Sequence, residues 1–390
     1  MSTVLMLVNN PLNPDPRVER EAKALVDAGL NVRIAAVSLS ANNLERVRDK
    51  RGFEIVKLPN PRRLSSHSRT GWKKALLDII RYYYEVLKHI RLLMRDVTVV
   101  HCHDFDTLPM GYVLSKLGSK LVYDSHEAFS GMFSQSVPRV IPLIVDALES
   151  ILAKRAKVLT VGKLLSKKLQ QMTGMTPVII RNAPDDLPEI KGIVRNEGFV
   201  IGYVGGLLED RCLEEIITGF ELFWKSHPNS ELRIAGFGPL RNFVERRSIA
   251  SEANITFLGK LPYPEVFRFL SALNLSLILF SKKNSNNYYS SPNKLFESSF
   301  MGIPVLASDF GELGWLVSEY RLGFIVNPDN SEEISKALSS IYDARTELDK
   351  IGRNARSTAS KHFSWQNAKQ ALYKTYYDLL KTDVEVVRVR

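Results

Sequence analysis

The sequence has 390 residues, of which 45% are hydrophobic, and its formal net charge at pH 7 is +11. This length and apolar content predict two domains with sizeable cores. Its apolar stretches fall well short of the roughly 18 residues of a membrane span, and no signal-peptide pattern opens the chain, which predicts a cytoplasmic protein. Its two cysteines, Cys102 and Cys212, have no ligand-like spacing, which excludes a disulfide scaffold and a zinc cluster.

The first half alternates short β-branched runs with amphipathic helical stretches. The predicted order is strand 3–8, helix 17–28, strand 32–37, strand 97–102, helix 107–117, strand 120–123 and strand 158–161. Strands and helices in this alternation form βαβ units on a parallel sheet. The first half is therefore predicted to be one doubly wound domain.

A polar stretch at 182–198 is predicted to be a linker, after which the alternation restarts. Strands are predicted at 199–204, 232–235, 255–258, 273–280 and 305–308, with helices between them and two or three more helices after residue 331. We predict an α/β protein with two Rossmann-like doubly wound domains facing across a cleft, at 1–185 and 199–365. A C-terminal helix and tail at 366–390 can cross back to the first domain. Such folds bind ligands beyond the carboxyl ends of their strands.

The strongest local signal is segment 288–297, which reads YYSSPNKLFE. Ser291 is a favourable N-cap and Pro292 suits the first helical position, which predicts a helix that begins at Pro292. The free N–H groups and positive dipole of such a helix start suit a phosphate. Lys294 in the first turn is unfavourable for the dipole, and an anionic ligand would resolve that conflict. The alternative is a well-capped core helix with a solvated lysine.

This segment resembles the nucleotide-binding signature of the GT-B, family 4 type of retaining glycosyltransferase, the glycosyl transferases group 1. Residues 203–207 (YVGGL), before Arg211, resemble a second motif of that family. The resemblance implies transfer of a sugar from a UDP- or GDP-type donor to a hydroxyl acceptor with retention, in cell-surface polysaccharide or glycolipid synthesis, without a metal or other cofactor. It implies a diphosphate site formed by Gly205, Gly206, Arg211, Ser291, Asn293 and Lys294.

The family carries two glutamates eight positions apart around this helix start. Glu297 matches the later one, which binds the ribose, whereas Tyr289 replaces the earlier one beside the donor sugar, with Ser290 next to it. Gly206 stands where the family has an arginine, and Arg211 where it has a lysine. The remaining residues that the resemblance places near the ribose and base are Gly236, Gly238, Lys260 and Leu261. Their alternative is a set of plain loops and turns.

In the first domain, polar residues follow two predicted strands, in segments 101–106 (HCHDFD) and 123–127 (YDSHE). His101 and His103 share one strand face and could form a metal site, but histidines at a strand end more often pack or cap loops. The resemblance instead places His126 beside the transferred sugar, while Glu127 and Asp104 are candidates for holding the acceptor hydroxyl or accepting its proton. Loop capping is the alternative for both carboxylates.

The loop after the first strand corresponds to one that faces donor phosphate or acceptor in this family. Asp15 and Arg17 open the following helix, and with His103 they are the candidate acceptor-binding residues. Arg17 could reach an anionic acceptor with its side chain. A solvent-exposed helix start is the alternative.

Much of the positive charge lies at 60–95, where nine basic residues face two acidic ones. Lys74, Arg81, Lys88 and Arg95 repeat every seventh position, so a helix over 72–95 would carry them as one stripe. Such a stripe suits an anionic membrane surface and predicts peripheral attachment to the inner face of the membrane, near a glycan or lipid-linked acceptor. A solvated helix face is the alternative. No nucleic-acid partner is expected, because no nucleic-acid-binding motif accompanies the charge.

Two other functions fit the same residues. A GT-B-type sugar-nucleotide epimerase would use the same donor site but leave its product attached to the nucleotide. A non-catalytic sugar-nucleotide sensor or scaffold would explain why Tyr289 and Gly206 replace the expected glutamate and arginine.

Overall fold

The computed structural model describes residues 2–12, 15–38, 43–59, 72–133, 137–184 and 198–380, with only the backbone at 72–74 and 133. Most of the predicted linker, part of the basic region and the C-terminal tail therefore lie outside the described residues. The chain divides into two compact units. Unit 1 comprises Met1–Arg181 and Gln366–Arg390, and unit 2 comprises Asn182–Trp365.

Unit 1 contains an eight-stranded sheet in the order β3-β4-β2-β1-β5-β6-β7-β8. Every neighbouring pair is parallel except β3 and β4, which are antiparallel. The strands are β1 (Thr3–Leu7), β2 (Asn31–Val37), β3 (Glu45–Arg48), β4 (Glu54–Leu58), β5 (Val97–His103), β6 (Lys120–Ser125), β7 (Lys157–Thr160) and β8 (Val178–Ile179). All five residues of β1 are buried, as expected for a central strand covered on both faces.

Helices connect and cover these strands. They are α1 (Pro16–Asp27), α2 (Trp72–Lys88), α3 (Ile90–Leu93), α4 (Leu108–Ser115), α5 (Phe129–Phe133), α6 (Val140–Ala153) and α7 (Lys163–Thr173). The C-terminal helix, which we number α15 (Trp365–Leu380), packs on unit 1, where Tyr376 is buried. Lys120 at the start of β6 donates a hydrogen bond to the carbonyl of Leu379 in that helix.

Unit 2 contains a six-stranded, wholly parallel sheet in the order β11-β10-β9-β12-β13-β14. The strands are β9 (Phe199–Gly206), β10 (Ser230–Phe237), β11 (Ile255–Phe257), β12 (Leu275–Ile278), β13 (Val305–Ser308) and β14 (Gly323–Val326). The helices are α8 (Leu213–Trp224), α9 (Arg241–Ala250), α10 (Tyr263–Ser271), α11 (Asn293–Met301), α12 (Gly311–Tyr320), α13 (Ser331–Asp343) and α14 (Leu348–His362). The chain enters in the middle of the sheet and winds outward in both directions, which defines a switch point between β9 and β12.

The predicted fold class, α/β with two Rossmann-like doubly wound sheets, is confirmed. Sequence patterns missed β3, β4, β8 and β14. Strand β3 is fully exposed and rich in charge, so it lacks the apolar run on which strand prediction depends. It pairs antiparallel at the sheet edge, an exception to the parallel sheet that was predicted.

The predicted helix over 72–95 is not continuous. Helix α2 ends at Lys88, the short α3 ends at Leu93, and Arg95 lies beyond both helices. Arg81 and Lys88 lie beside acidic partners on α2, at 4.0 Å from Asp78 and 3.6 Å from Glu85. The predicted stripe of four cations on one helix is therefore wrong, because the chain turns at residue 89 before the fourth cation.

Candidate functional site

The polar ends of the unit 1 strands meet at the carboxyl edge of the sheet. Asn9 follows β1 and donates a hydrogen bond to Asp106, which follows β5, at 2.8 Å. Asp104, at the end of β5, has φ +64°, a left-handed conformation that aspartate tolerates. This turn lets its carboxylate accept a hydrogen bond from the backbone N–H of His126 after β6, at 2.8 Å. The two predicted motifs of the first domain therefore do converge.

Beneath this edge lies a buried charge cluster, which we define as Arg17, Glu21, His101, His103, Asp124 and His126. Its centre is the ion pair of Arg17 on α1 with Asp124 on β6. Arg17 Nη2 lies 2.8 Å from Asp124 Oδ1, and its Nε lies 3.0 Å from Oδ2. Nη1 donates to the carbonyl of Ile180 at 2.7 Å. The forked guanidinium is held on both sides, which is the arrangement that makes such a pair strong.

His126 lies between two carboxylates. Its Nε2 is 2.7 Å from Asp124 Oδ2 and its Nδ1 is 3.4 Å from Asp104 Oδ2. Burial lowers the pKa of His126, but the charges of Asp104 and Asp124 outweigh burial and the nearby Arg17, and they raise the pKa to about 9. This pKa favours the protonated imidazole near neutral pH, and Arg17 Nε also lies 2.8 Å from Nε2 of the same ring.

The other members of the cluster, Glu21, His101 and His103, are neutral near pH 7. Burial raises the pKa of Glu21 to about 8, and the charge of Asp124 adds to that effect. Burial lowers the pKa of His101 to about 4 and holds the pKa of His103 well below its ordinary value. The two imidazoles stack with ring centroids 4.4 Å apart, and His101 Nδ1 lies 2.8 Å from the hydroxyl of Tyr376 on α15.

Four members of the cluster carry the atoms that a metal would need. Ligand atoms of Glu21, His101, His103 and Asp124 all lie within 4.8 Å of one another. The guanidinium of Arg17 already lies 3.1 Å from Glu21 and 2.8 Å from Asp124, so a metal ion would compete with a fixed positive charge. This set of residues does not fit a metal ion.

The candidate acceptor residues have internal partners. Asp15 caps α1 by accepting a hydrogen bond from the N–H of Val18 at 3.3 Å, and it also accepts one from Asn10. Arg17 is 6% exposed, so it does not lie at a solvent-exposed helix start, which was the alternative in sequence. His103, at the end of β5, is 3% exposed. Glu127 is half-buried, and its carbonyl accepts a hydrogen bond from Ser125.

In unit 2, the glycines after β9 and β10 allow the two strand ends to lie close together. A Cβ atom on Gly236 would lie 2.1 Å from the carbonyl oxygen of Gly205. Gly238, at φ +149°, would place a Cβ atom 2.5 Å from the carbonyl oxygen of Leu207. These glycines are therefore required by backbone packing at the sheet edge, whatever binds there. Gly206 is half-buried in the same turn, and its carbonyl accepts a hydrogen bond from Tyr203 at 2.6 Å.

Arg211, just after this turn, is held by the loop that follows β12. Its Nη1 donates to Asn287 Oδ1 at 3.2 Å, and its guanidinium lies 4.0 Å from the ring centroid of Phe280. Asp210, 3.3 Å away, accepts a hydrogen bond from Asn284 of the same loop. Hydrogen bonds thus connect the loops that follow β9 and β12. They hold Arg211 in place while its guanidinium keeps further N–H donors for a ligand.

Helix α11 begins one residue later than predicted. Asn293 is its first residue and Pro292 occupies the N-cap position, where no side chain caps the helix. Ser291 therefore does not act as the predicted N-cap. Its side chain is 6% exposed, and its Oγ is buried without a hydrogen-bond partner among the residues that the structure describes. A buried hydroxyl without a partner is costly, so this atom marks a place where a polar ligand group would be stabilised.

Lys294, in the first turn of α11, has a protein partner. Its Nζ lies 2.5 Å from Glu297 Oε2, and the hydroxyl of Tyr263 lies 3.4 Å from the other carboxylate oxygen. Glu297 is 2% exposed. The carboxylate of Glu297 thus balances the charge of Lys294, which is unfavourable at a helix start. Asn293, which precedes Lys294, is exposed.

The remaining predicted residues of unit 2 lie around these two groups. Tyr289 is half-buried with its ring 5.1 Å from that of Tyr288, and the hydroxyl of Ser290 donates to the carbonyl of Asn286. Lys260 extends over the exposed ring of Phe237 at 4.8 Å. Leu261 packs on the apolar core of α10 and neighbouring residues.

Comparisons with known proteins agree with this geometry. Residues 188–358 match the family described as glycosyl transferases group 1. Over 287 residues the chain is 22% identical to a glycogen synthase of Mycobacterium tuberculosis, which covers 71% of this chain and 68% of that protein. Sucrose-phosphate synthase from Thermosynechococcus elongatus has a similar structure, with a TM-score of 0.78 at 14% identity over 98% of this chain and 100% of that one. HepE of Anabaena in complex with UDP-glucose has a TM-score of 0.68 at 14% identity, over 97% and 100% of the two chains. The match to glycosyl transferases group 1 thus covers residues 188–358, and the structural likeness shows that the chain has the GT-B fold.

Sequence reasoning missed several residues that organise the two units. Asp124 lies inside the YDSHE motif but was not singled out, although an aspartate two residues before a candidate histidine was a usable signal. Glu21 lies in an amphipathic helix, and only tertiary structure reveals that it faces inward. Asn287 gave no signal, because its role depends on a loop that follows a strand distant from Arg211.

In the described part of the chain, no helix is both long and apolar enough to cross a membrane.

We predict that Asp124→Asn lowers the pKa of His126 by roughly 1 to 3 pH units from about 9, since one of two carboxylate charges is lost while burial and Arg17 remain. The measurement is a pH titration of the imidazole ¹⁵N signals, assigned with His126→Gln. Asp146→Asn, which removes a carboxylate paired with Lys168 at 3.1 Å, is the control and should leave the value unchanged. An unaltered His126 titration in Asp124→Asn would contradict the assignment.

We also predict that Glu21 makes the folded protein less stable as the pH rises. Its pKa rises from an ordinary 4.5 to about 8 on folding, so the folded state holds an extra proton between these values. The free energy of unfolding should therefore fall across this window, by up to about 1.4 kcal/mol per pH unit for one proton.

Glu21→Gln should remove this part of the pH dependence, measured as urea midpoints between pH 5 and pH 8. Glu45→Gln, at an exposed position on β3, is the matched control and should behave like the wild type. If Glu21→Gln and the wild type lost stability in parallel, Glu21 would not hold the proton.

Proposed function

We propose that the protein transfers a sugar from a nucleotide-diphosphate donor, of UDP or GDP type, to a hydroxyl acceptor, with retention at the anomeric carbon. The observation that carries the proposal is the buried Ser291 Oγ without a partner, directly before the N-terminus of α11. The hydroxyl, the free amides of the helix start and the dipole all favour an anion. Arg211 is fixed by the loop that leads to this helix.

The diphosphate would be bound by Arg211, Lys294, Ser291 and the amide of Asn293, with the turn at Gly205 and Gly206 facing it. Preorganised donors of this kind stabilise the charge that develops on the departing diphosphate. Lys294 would bridge the phosphate and Glu297, since an ammonium group has three N–H donors and Glu297 uses one of them. No metal or other cofactor is needed in this scheme.

Glu297 would bind the ribose hydroxyls, because it is buried but keeps a carboxylate oxygen 3.4 Å from Tyr263, a weak contact that a ribose hydroxyl could replace. Gly236, Gly238, Lys260 and Leu261 would line the nucleotide pocket, and Tyr289 with Ser290 would contact the donor sugar. The structure of HepE with UDP-glucose supports a nucleotide sugar as the kind of donor.

His126 would contact the transferred sugar as a cation. Its imidazolium, held between Asp104 and Asp124, can donate a hydrogen bond to a sugar hydroxyl but cannot accept one. Asp104 is about one-third exposed, and with Glu127 it is the candidate for orienting the acceptor hydroxyl or accepting its proton. Asp15, Arg17 and His103 would act on the acceptor through these neighbours rather than by reaching into solvent.

The acceptor would be a glycan or a lipid-linked sugar, in synthesis of cell-surface polysaccharide or glycolipid at the inner face of the membrane. The basic region that precedes β5 supports an anionic surface as a partner, with Lys88, Arg91 and Arg95 exposed. No nucleic acid is proposed as a partner.

We predict that a matching sugar nucleotide raises the midpoint of thermal unfolding, since a ligand that binds only the folded state adds about 2.7 kcal/mol at a hundredfold excess over Kd. UDP-, GDP-, ADP- and dTDP-sugars are compared with free phosphate. Each donor that binds is then incubated with membrane extracts, and products are analysed by mass spectrometry. Absence of a shift with every donor would contradict the proposal.

Binding without turnover would support a sensor or scaffold instead. A changed sugar that stays attached to the nucleotide would support an epimerase.

We predict that Arg211→Ala or Lys294→Ala lowers kcat roughly a hundredfold, the usual effect of losing one preorganised donor to a developing charge. Lys225→Ala, at an exposed position beyond the far end of α8, is the matched control and should keep full activity. Unchanged kcat in both Arg211→Ala and Lys294→Ala would remove the diphosphate role from these residues.

A further inference from the structure

Unit 1 exposes an unusual stripe of large apolar side chains on α6. Val140, Leu143, Ile144, Leu148 and Ile151 are between 46% and 69% exposed. They recur at spacings of three and four residues, so they form one face of the helix. The opposite face carries the buried contacts, including Glu149, which accepts a hydrogen bond from Tyr123 at 2.6 Å. The apolar face of α6 is therefore the outer one, the reverse of an ordinary surface helix.

Two neighbouring helices extend this face. The connections β4 to β5, β5 to β6 and β6 to β7 run in one direction across a parallel sheet, and right-handed crossovers place α2, α4 and α6 on the same face of it. Helix α4 packs against α6, and Tyr83 of α2 donates to the carbonyl of Asp106 just before α4. The exposed apolar residues here are Leu76, Leu77, Ile80, Tyr84 and Leu87 on α2, Val113 on α4, and Leu117 in the turn that follows α4.

Together the three helices and the turn after α4 hold twelve of the 23 large apolar side chains that are exposed in the described part of the chain. We name these twelve residues the apolar face. Single exposed apolar residues are normal on a protein surface, but such a concentration on adjacent helices marks an interaction surface.

Charge identifies the kind of partner. The exposed charged residues at the ends of α6 are all basic, with Arg139 before it and Lys154 and Arg155 after it. In the described parts of α2, α4 and α6, none of the acidic residues is exposed. Asp146, the most accessible of them on α6, pairs with Lys168. The face therefore combines exposed apolar side chains with flanking residues that are all basic. Helices that lie in the interface of an anionic bilayer have this combination.

A second copy of the chain is a poorer partner for the same face. Two α6 helices packed with two-fold symmetry and antiparallel would bring Arg139 of one copy towards Lys154 and Arg155 of the other, and a parallel pair would place like residues together. Like charges at close range are destabilising in both arrangements.

We propose that the apolar face, centred on α6, docks unit 1 onto an anionic lipid bilayer by inserting its apolar side chains among the lipids. Arg139, Lys154 and Arg155 then contact the lipid headgroups. This mode differs from adhesion by a stripe of cations on α2, because insertion of apolar area supplies most of the affinity. It does not rest on sugar transfer, and its test requires no donor.

The test is flotation of the full-length protein with vesicles of phosphatidylcholine and phosphatidylglycerol, compared with phosphatidylcholine alone. Leu143→Ser/Ile151→Ser removes two side chains that are 69% and 61% exposed, so folding should be unaffected. We expect partition onto the anionic vesicles to weaken about a hundredfold, roughly tenfold for each lost apolar side chain. Ile249→Ser, at an 82% exposed position on α9 of unit 2, is the matched control and should float like the wild type.

Salt separates insertion from adhesion. Bound wild-type protein should remain largely on the vesicles at high salt, whereas binding by charge alone would be lost. The proposal is overturned if the double variant floats as well as the wild type, or if high salt releases the wild type completely. It is also overturned if the wild type binds no vesicles, and a dimer in light scattering that the double variant abolishes would then identify the face as an interface between copies.

Discussion

An arginine cannot give up its charge inside a protein, and the buried Arg17 of unit 1 therefore requires a charged partner, which is Asp124. Burial raises the pKa of Asp124, but the guanidinium and His126 outweigh it and hold that pKa well below its ordinary range. Arg17 and Asp124 are thus the fixed cation and anion at the centre of the cluster. The second pair of opposite charges is His126 with Asp104. His126 takes the positive charge because it also faces Asp104 at the accessible side.

Glu21, His101 and His103 also face opposite charges, but burial outweighs these charges and keeps the three side chains neutral near pH 7. Removing one partner of a buried pair leaves an uncompensated charge, which is far more costly than loss of a surface pair. The cluster therefore links α1, β5, β6 and, through the hydroxyl of Tyr376, the C-terminal helix. Within the cluster, the His126 side chain is the most exposed, at 17%. The same constraint explains why the cluster does not suit a metal ion, since Arg17 already supplies the cation.

Unit 2 reaches its anion-binding character by a different route, through backbone rather than buried charge. Glycines allow β9 and β10 to end within contact of each other, and the loop after β12 fixes Arg211 through Asn287. Helix α11 then begins without a side-chain cap, so its amides keep free hydrogen-bonding capacity. Lys294 and Glu297 neutralise each other in the absence of ligand, which stabilises a cation at a helix start where the dipole opposes it. The apolar face of unit 1 lies outside both sites. Its helices pack on the sheet with one side and expose apolar side chains on the other.

The sequence by itself determined the α/β class, the alternation of the central strands and helices, and the segment at 288–297, because these depend on local periodicity, capping and turn chemistry. It also predicted that the motifs around Asp104 and His126 lie at one edge of the sheet, because the carboxyl ends of parallel strands lie at the same edge. It failed where a residue's role depends on partners distant in sequence. The edge strand β3 has no apolar period, the predicted helix over 72–95 breaks at residue 89, and α11 begins at Asn293 rather than at Pro292. Only the tertiary structure decided that Arg17 and Glu21 face inward, that Asn287 holds Arg211, and that the outer side of α6 is apolar. Burial and contacts between segments distant in sequence decide these features, and no local pattern records them.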